Sequence, residues 1–269
     1  MITVGEAVVL GVVQGLTEFL PVSSSGHLAI AERFMTPLAR DETLTVDLAL
    51  HLGTLLAACV YFWADLWGML RAFASPRRGG WRFRWVWLIA LGTIPAAALG
   101  IPFEGAVKES VGSSMLMVGF GFVFTGSLLY LASSVRGALR TQDSLTRMDA
   151  LVVGGFQVMA LVPGISRAGV TIAGGLFRQL RGDVATRLSF LMAIPVIGGA
   201  ELLEAHALRA LGGPAKAALL SGVVAAAVTG FAAIWIVFLT MRAQRLHYLS
   251  YYLWTVGALV LVGTTVFGL

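Results

Sequence analysis

The chain has 269 residues, of which 58% are hydrophobic and only 12% charged, and its mean hydropathy is +0.85. A soluble domain carries about 25% charged residues, so this composition excludes a water-soluble globular fold and points to a membrane protein. The net charge of +5 and pI near 9.9 do not mark a nucleic-acid binder, because the arginines fall in short loops between apolar runs. No long polar linker divides the chain, which reads as one membrane domain over residues 1–269. The single Cys59 lies in an apolar run, which rules out a disulfide framework and a thiolate metal site and leaves a packed core residue. Glu6, rather than a basic head, precedes the first apolar run, so no cleaved secretory signal is expected.

From the N-terminus, residues 5–30 form an apolar stretch broken in its middle by Pro21-Val22-Ser23-Ser24-Ser25-Gly26-His27. Continuous apolar runs of about 18 or more residues follow at 44–67, 84–102 and 115–135, each read as a membrane span. A second broken stretch, 148–177, carries Pro163-Gly164-Ile165-Ser166-Arg167-Ala168-Gly169, and three more spans follow at 186–205, 217–241 and 249–267. Non-helical backbone at membrane depth is tolerated only where protein buries it or water reaches it. Each break is therefore expected to line a cavity, and each broken stretch to be a hairpin that returns to the side it came from. Ordinary kinked spans are the competing reading, since Pro and Gly are common in transmembrane helices.

Loop charge tests the two readings. Cytoplasmic loops collect Lys and Arg. With both hairpins re-entrant, one set of loops holds Arg71, Arg77, Arg78, Arg82, Arg84, Arg136, Arg140, Arg147, Arg178, Arg181, Arg187, Arg242 and Arg245. The other holds only Arg33, Arg40, Lys108, Arg209 and Lys216, together with Glu32, Asp41, Glu42, Glu104 and Glu109. The expectation is an all-α integral membrane protein with two re-entrant helical hairpins and six transmembrane helices, both chain ends lying outside. Repeat one, residues 1–135, and repeat two, residues 148–269, then have inverted topology. A faint echo pairs Val12-Val13-Gln14, Pro21 and Ser24 with Gly155-Phe156-Gln157, Pro163 and Ser166. Such repeats are common in transporters, so function has to be argued from the site.

Ionisable side chains inside apolar segments are costly unless they face a cavity or a partner. Glu18 stands four residues after Gln14, so on a helix both share one face. Ser23, Ser24, Ser25, Gly26 and His27 then supply hydroxyls, backbone donors and an imidazole, and a Gly/Ser break opening a helix favours phosphate. Arg167 in the second break needs an anion, which a phosphate gripped by its planar fork, or Glu18, would supply. Asp149 reads either as a helix N-terminal carboxylate or as a site residue. His51, in Leu50-His51-Leu52-Gly53-Thr54, reads as a packed, hydrogen-bonded residue, and His206 and His247 fall at membrane edges. Zinc-protease, nucleotide-loop and dinucleotide motifs do not occur. An anionic ligand fits this set, with Arg167 stabilising charge in phosphoryl chemistry. A lipid flippase or small-solute transporter using the same midplane site, and a structural scaffold, are the rival classes.

The segments Gln14-Gly-Leu-Thr-Glu18-Phe-Leu-Pro-Val-Ser-Ser-Ser-Gly-His27 and Pro163-Gly-Ile-Ser-Arg167-Ala-Gly169 resemble the signatures of the undecaprenyl-diphosphate phosphatase family linked to bacitracin resistance. The resemblance extends to Leu50–Ala57 and Ser189–Pro195 and so covers nearly the whole chain. It implies a multi-pass plasma-membrane enzyme that converts undecaprenyl diphosphate to undecaprenyl phosphate on the extracytoplasmic side, recycling carrier lipid for cell-wall synthesis. It implies Glu18 as the acid of the motif, Ser24 as nucleophile, His27 as motif histidine and Arg167 as the phosphate-binding arginine. Gln14, Ser23, Ser25, Gly26, Ser166 and Asp149 become substrate-binding neighbours. A divalent cation, Mg2+ or Ca2+, is implied as cofactor, with Glu18 and Gln14 as its protein ligands. The expected partners are the lipid substrate and the bilayer, with no nucleic acid, and a homodimer is left open. Two positions depart from the family pattern: Gln14 stands where many relatives have Glu, and Ala168 where Ser is usual. Altered metal dependence and a modest loss of a hydroxyl contact are expected from these.

Overall fold

The computed structural model describes residues 2–35, 40–74, 80–110, 114–135, 137–204 and 213–268. Arg77, Arg78, Arg136, His206 and Arg209 lie outside these residues, as do the side chains of Arg40, Asp41, Glu104, Lys108 and Glu109. Eleven α-helices, and no strands, are formed among the described residues: α1 (Val4–Phe19), α2 (Ser24–Glu32), α3 (Arg40–Tyr61), α4 (Trp63–Ala74), α5 (Gly80–Ser110), α6 (Met115–Ser133), α7 (Arg147–Val158), α8 (Arg167–Phe177), α9 (Gly182–Glu204), α10 (Gly213–Arg242) and α11 (Leu246–Phe267).

Six of these contain stretches long and apolar enough to cross a membrane: Glu42–Tyr61, Gly80–Gly100, Met115–Ser133, Gly182–Leu203, Lys216–Arg242 and Leu246–Phe267. All six spans expected from hydropathy are present. The first differs in its end: the expected run 44–67 is interrupted at Phe62, where α3 gives way to α4. Phe62 is 2% exposed and packs edge-on against Tyr61 and Phe190, so an aromatic cluster fixes the corner. Beyond it, Asp65 on α4 pairs with Arg187 on α9 at 3.2 Å.

The two broken stretches are helix pairs. α1 packs back on α2, and α7 on α8. The feet of the second pair meet, since Arg178, just after α8, bonds Asp149 in the first turn of α7 at 2.7 Å. Arg140 and Arg181 tie the flanking loops together, Arg181 N donating to the Arg140 carbonyl at 2.9 Å. In the first pair, Ile2 and Met35 at the two feet join one apolar cluster with Leu10 and Leu28.

The halves of the chain interlock rather than stand side by side. α1 of the first half packs on α10 of the second, and α7 of the second on α5 of the first. Glycines set both crossings. A Cβ built on Gly11 would lie 2.3 Å from the Gly222 carbonyl oxygen, and one on Gly154 would lie 2.2 Å from that of Gly92. Small residues permit this close backbone approach, which gives dispersion contacts where lipid offers no hydrophobic driving force. α6 and α11 cross similarly at Gly119 and Gly257.

Candidate functional site

Pro21 starts the first break. The residue before a proline is pushed out of the helical region, and Leu20 accordingly takes ψ 133° and ends α1. Ser23 then adopts φ 74°, a left-handed conformation that costs a non-glycine residue about 1–3 kcal/mol and persists only where its surroundings enforce it. Here its carbonyl accepts from His27 Nδ1 at 2.7 Å and from the His27 amide at 3.3 Å, while its hydroxyl accepts from the Gly26 amide at 3.4 Å. Ser23 thereby caps α2 and leaves Ser24 as the first helical residue.

The second break follows the same plan. Val162 is extended before Pro163, and Gly164 turns the chain at φ 86°, where a Cβ would meet the Val118 carbonyl oxygen at 2.5 Å. The Ser166 amide donates to Thr125 Oγ1 at 3.1 Å, and Ser166 Oγ accepts from the Gly169 amide at 3.1 Å, capping α8 with Arg167 as its first residue. The caps correct the register of the sequence echo. Gln14 and Gln157, Ser23 and Ser166, and Gly26 and Gly169 correspond at one constant offset, so Ser23, not Ser24, is the counterpart of Ser166, and Ser24 is that of Arg167.

Those two first residues meet at Glu18. Arg167 Nη2 donates to Glu18 Oε1 at 2.7 Å, and Ser24 Oγ donates to Glu18 Oε2 at 2.6 Å. Gln14 Nε2 donates to the same Oε2 at 3.2 Å. The pair is shielded, Glu18 being 8% and Arg167 13% exposed. Arg167 Nη1 also reaches the Ser189 carbonyl at 3.4 Å, and the Ser189 hydroxyl bonds Thr171 at 2.6 Å, so α9 braces the guanidinium. The N-termini of α2 and α8 thus converge beside one carboxylate and one guanidinium, a geometry that receives an anion.

Gln14, Glu18, Ser24 and Arg167 are brought together. Ser25 is exposed, its Oγ 3.3 Å from that of Ser23. Gly26 serves packing: a Cβ there would fall 2.6 Å from the Phe122 ring. His27 turns toward α11, where Nε2 lies 2.7 Å from the Tyr252 hydroxyl. The Ser23 carbonyl only accepts, so Nδ1 carries the proton, and in the neutral ring Nε2 accepts from Tyr252.

Asp149 is in a cluster of its own at the foot of the second hairpin, outside the six spans. It is fully buried and bonds Arg140 at 2.6 and 2.9 Å, Arg178 at 2.7 Å and the Thr146 amide at 2.8 Å. Burial would raise its carboxyl, but the hydrogen bonds from Arg140, Arg178 and Thr146 outweigh that and hold it well below the usual carboxylate range. It shares no hydrogen-bond partner with Glu18 among the described residues.

Three residues join the picture that sequence reasoning left aside. His51 is hydrogen-bonded as expected, to the Asp47 carbonyl at 2.8 Å, but its Nε2 also stands 3.8 Å from Glu18 Oε2; a histidine inside an apolar span was the available signal. Gln157 is 2% exposed and its side-chain amide has no partner among the described residues. Tyr252 carried no signal, because tyrosines are ordinary at membrane interfaces.

The donor set suits a hard cation. Gln14 Oε1 is buried without a hydrogen-bond partner among the described residues and belongs to the residue whose amide holds Glu18. With the carboxylate and the Ser24 hydroxyl it makes an all-oxygen set of the kind Mg2+ and Ca2+ take. No group of three His, Cys, Asp or Glu able to hold a metal occurs among the described residues, so these oxygens by themselves would supply only part of a cation's shell.

Residues 7–259 match the family described as Bacitracin resistance protein BacA. A protein of Alkaliphilus metalliredigens named undecaprenyl-diphosphatase is 36% identical over 272 residues, covering 97% of this chain and 98% of its own. Proteins of the same name from Moorella thermoacetica and Rubrobacter xylanophilus are each 39% identical, covering 93% and 97% of this chain and 92% and 98% of their own.

Proposed function

This chain belongs to the Bacitracin resistance protein BacA family, and from that membership we propose that it is an undecaprenyl-diphosphatase, hydrolysing undecaprenyl diphosphate to undecaprenyl phosphate and inorganic phosphate and returning carrier lipid to cell-wall synthesis. The observation that supports a phosphatase mechanism is the Glu18 carboxylate held between the Ser24 hydroxyl and the Arg167 guanidinium across the two breaks. Substrate exchanges one anion for another at Arg167: the terminal phosphate takes the guanidinium, and Glu18 Oε1 is released from its ion pair. The N-termini of α2 and α8 add backbone donors and dipole to the same phosphate. Ser24 Oγ attacks the terminal phosphorus while its proton passes to Glu18 Oε2, the bridging P–O bond breaks, and undecaprenyl phosphate leaves. Glu18 passes that proton to the departing undecaprenyl phosphate and, ionised again, takes one from a water that attacks the phosphoserine; the P–Oγ bond breaks, Ser24 recovers the proton from Glu18, and inorganic phosphate is released. Gln14 Oε1, Glu18 and Ser24 are the residues that would hold a divalent cation, which when bound neutralises phosphate charge.

The site opens to the extracytoplasmic side of the plasma membrane, with both hairpins re-entrant and the halves related as an inverted repeat. The arginine bias of the opposite loops and the exchange of α1 and α7 between halves support this arrangement.

The test is phosphate release from undecaprenyl diphosphate by the purified protein in detergent, with Mg2+ or Ca2+ and with chelator, for wild type, Ser24→Ala and Arg167→Ala. Metal-dependent release lost in both variants is expected. Full activity in Ser24→Ala would remove the serine from the mechanism and leave water as the nucleophile.

A further inference from the structure

Ser23 is held in a left-handed conformation that its own side chain disfavours, and the ring that holds its carbonyl is braced from outside its own helix. Its carbonyl is fixed by the His27 ring at 2.7 Å, and that ring is fixed in turn by the Tyr252 hydroxyl at 2.7 Å. The Tyr252 ring lies nearly parallel to the imidazole, 8° apart with centroids at 5.8 Å, and Phe122 of α6 closes another side at 4.9 Å. His27 is thus spanned between the break and α11, both ring nitrogens in use, with no hydrogen bond to Ser24 or Glu18 among the described residues. The residue after Ser23 is Ser24, whose hydroxyl direction toward Glu18 depends on the Ser23 dihedrals.

We infer that Tyr252 is a positioning residue for the hydrolysis, acting through His27 to keep Ser23 strained and Ser24 aimed at Glu18. The inference rests on the proposed role of Ser24 as nucleophile. It assigns His27 the work of an anchor rather than a base, because its one lone pair is committed to a hydroxyl on α11. A positioning group of this kind acts on the chemical step more than on binding. Arg167 and the N-terminus of α8, which grip the phosphate from the other break, are untouched when Tyr252 loses its hydroxyl, and misaiming a nucleophile by a fraction of an ångström lowers turnover steeply.

The experiment measures kcat, KM and thermal stability of the full chain in detergent for Tyr252→Phe, Tyr252→Gln, His27→Ala, the Tyr252→Phe/His27→Ala double variant and Ser24→Ala. Tyr252→Phe keeps the ring and loses the hydroxyl. Its kcat is expected to fall about tenfold with KM within about twofold and an unchanged melting temperature, a loss of the size one misaligned contact produces. Tyr252→Gln, which restores a donor, is expected to recover part of the loss. In the His27→Ala background the Tyr252→Phe change should have no further effect, since the two act in series. Wild-type kcat in Tyr252→Phe, or losses that multiply independently in the double variant, would overturn the inference. Ser24→Ala separates the two levels: if it is inactive while Tyr252→Phe is normal, only the inference fails, and if it is fully active, the nucleophile assignment beneath it fails.

Discussion

Replacing Glu18 by Gln keeps the shape of the side chain and removes its charge and basicity. The Ser24 hydroxyl stands 2.6 Å from Oε2, so a proton acceptor is lost at the attacking oxygen, an effect of about 10²–10⁴ in kcat. At 1.36 kcal/mol per decade this is about 3–5 kcal/mol of transition-state stabilisation. The folded state loses much less. The single carbonyl oxygen of Gln can still accept from Arg167 while its amide donates to the Ser24 hydroxyl, and the difference between a charged and a neutral acceptor is about 1 kcal/mol. Glu18→Ala would be a poorer test, because it leaves Arg167, 13% exposed, without its anion, at a cost of about 3–5 kcal/mol that confounds folding with chemistry. KM should not rise in Glu18→Gln, since Arg167 is freed from its ion pair and remains able to grip the phosphate. Steady-state phosphate release, read beside a thermal melt of the same sample, separates the two effects. Glu18→Gln combined with Ser24→Ala should be no slower than the worse single variant by more than a few-fold, because the two residues act as a unit. A kcat within threefold of wild type, with an unchanged melt, would refute the assignment of Glu18 as proton acceptor. A loss of kcat that merely tracks a loss of folded protein would make the carboxylate structural.

Arg167→Lys exchanges a fork that bonds both Glu18 and the Ser189 carbonyl for a point charge, and is expected to raise KM about tenfold or more in the same assay. Gly154→Ala should destabilise despite gaining about 1 kcal/mol of helix propensity, because its Cβ would press on the Gly92 backbone, whereas Gly155→Ala, with nothing within 4 Å, should stabilise; melting temperatures in detergent decide it. Asp149→Asn is expected to lower the melting temperature by weakening the Arg140 and Arg178 bonds while leaving kcat of the folded protein unchanged; a kcat loss at intact stability would return Asp149 to the site. Burial, and then the Asp47 carboxylate, push Glu32 up to about 7. A carboxyl with a raised folded value contributes stability below its ordinary value near 4.5 and loses it as pH rises through about 7. The melt should therefore fall between pH 5 and pH 8, and Glu32→Gln should flatten that slope; an identical slope in the variant would exclude Glu32 as its source.

The residues of the site were legible as residue types. Glu18, Ser24 and Arg167 stood out because a carboxylate, a hydroxyl run and a guanidinium inside apolar stretches have to be used or paired. Their connections were not legible. Ser24 and Arg167 are far apart in sequence, and only the folding of two breaks against each other makes them the first residues of helices that face one carboxylate. Asp149 shows the limit from the other side, since its arginine partners were read as loop charges and its carboxylate as either a helix N-terminal group or a site residue; it does cap α7, and the fold joins it with those arginines into a buried clamp. Tyr252 gave no local pattern to place it, and His51 was legible as a hydrogen-bonded residue but not as a neighbour of Glu18, because both roles depend on what stands across from them.

Composition and hydropathy by themselves determined that this chain is a helical membrane protein with six spans and two interrupted stretches, because burying backbone polar groups in lipid leaves few other solutions. The Pro and Ser spacing determined where the helices stop and restart, since proline and a capping hydroxyl act locally on the backbone. Which helices touch was decided by tertiary structure alone. The glycine crossings that interlock the halves, the ion pair across the two breaks and the anchoring of His27 to α11 are contacts between distant segments, set by shape and close approach, and no local rule encodes the partner.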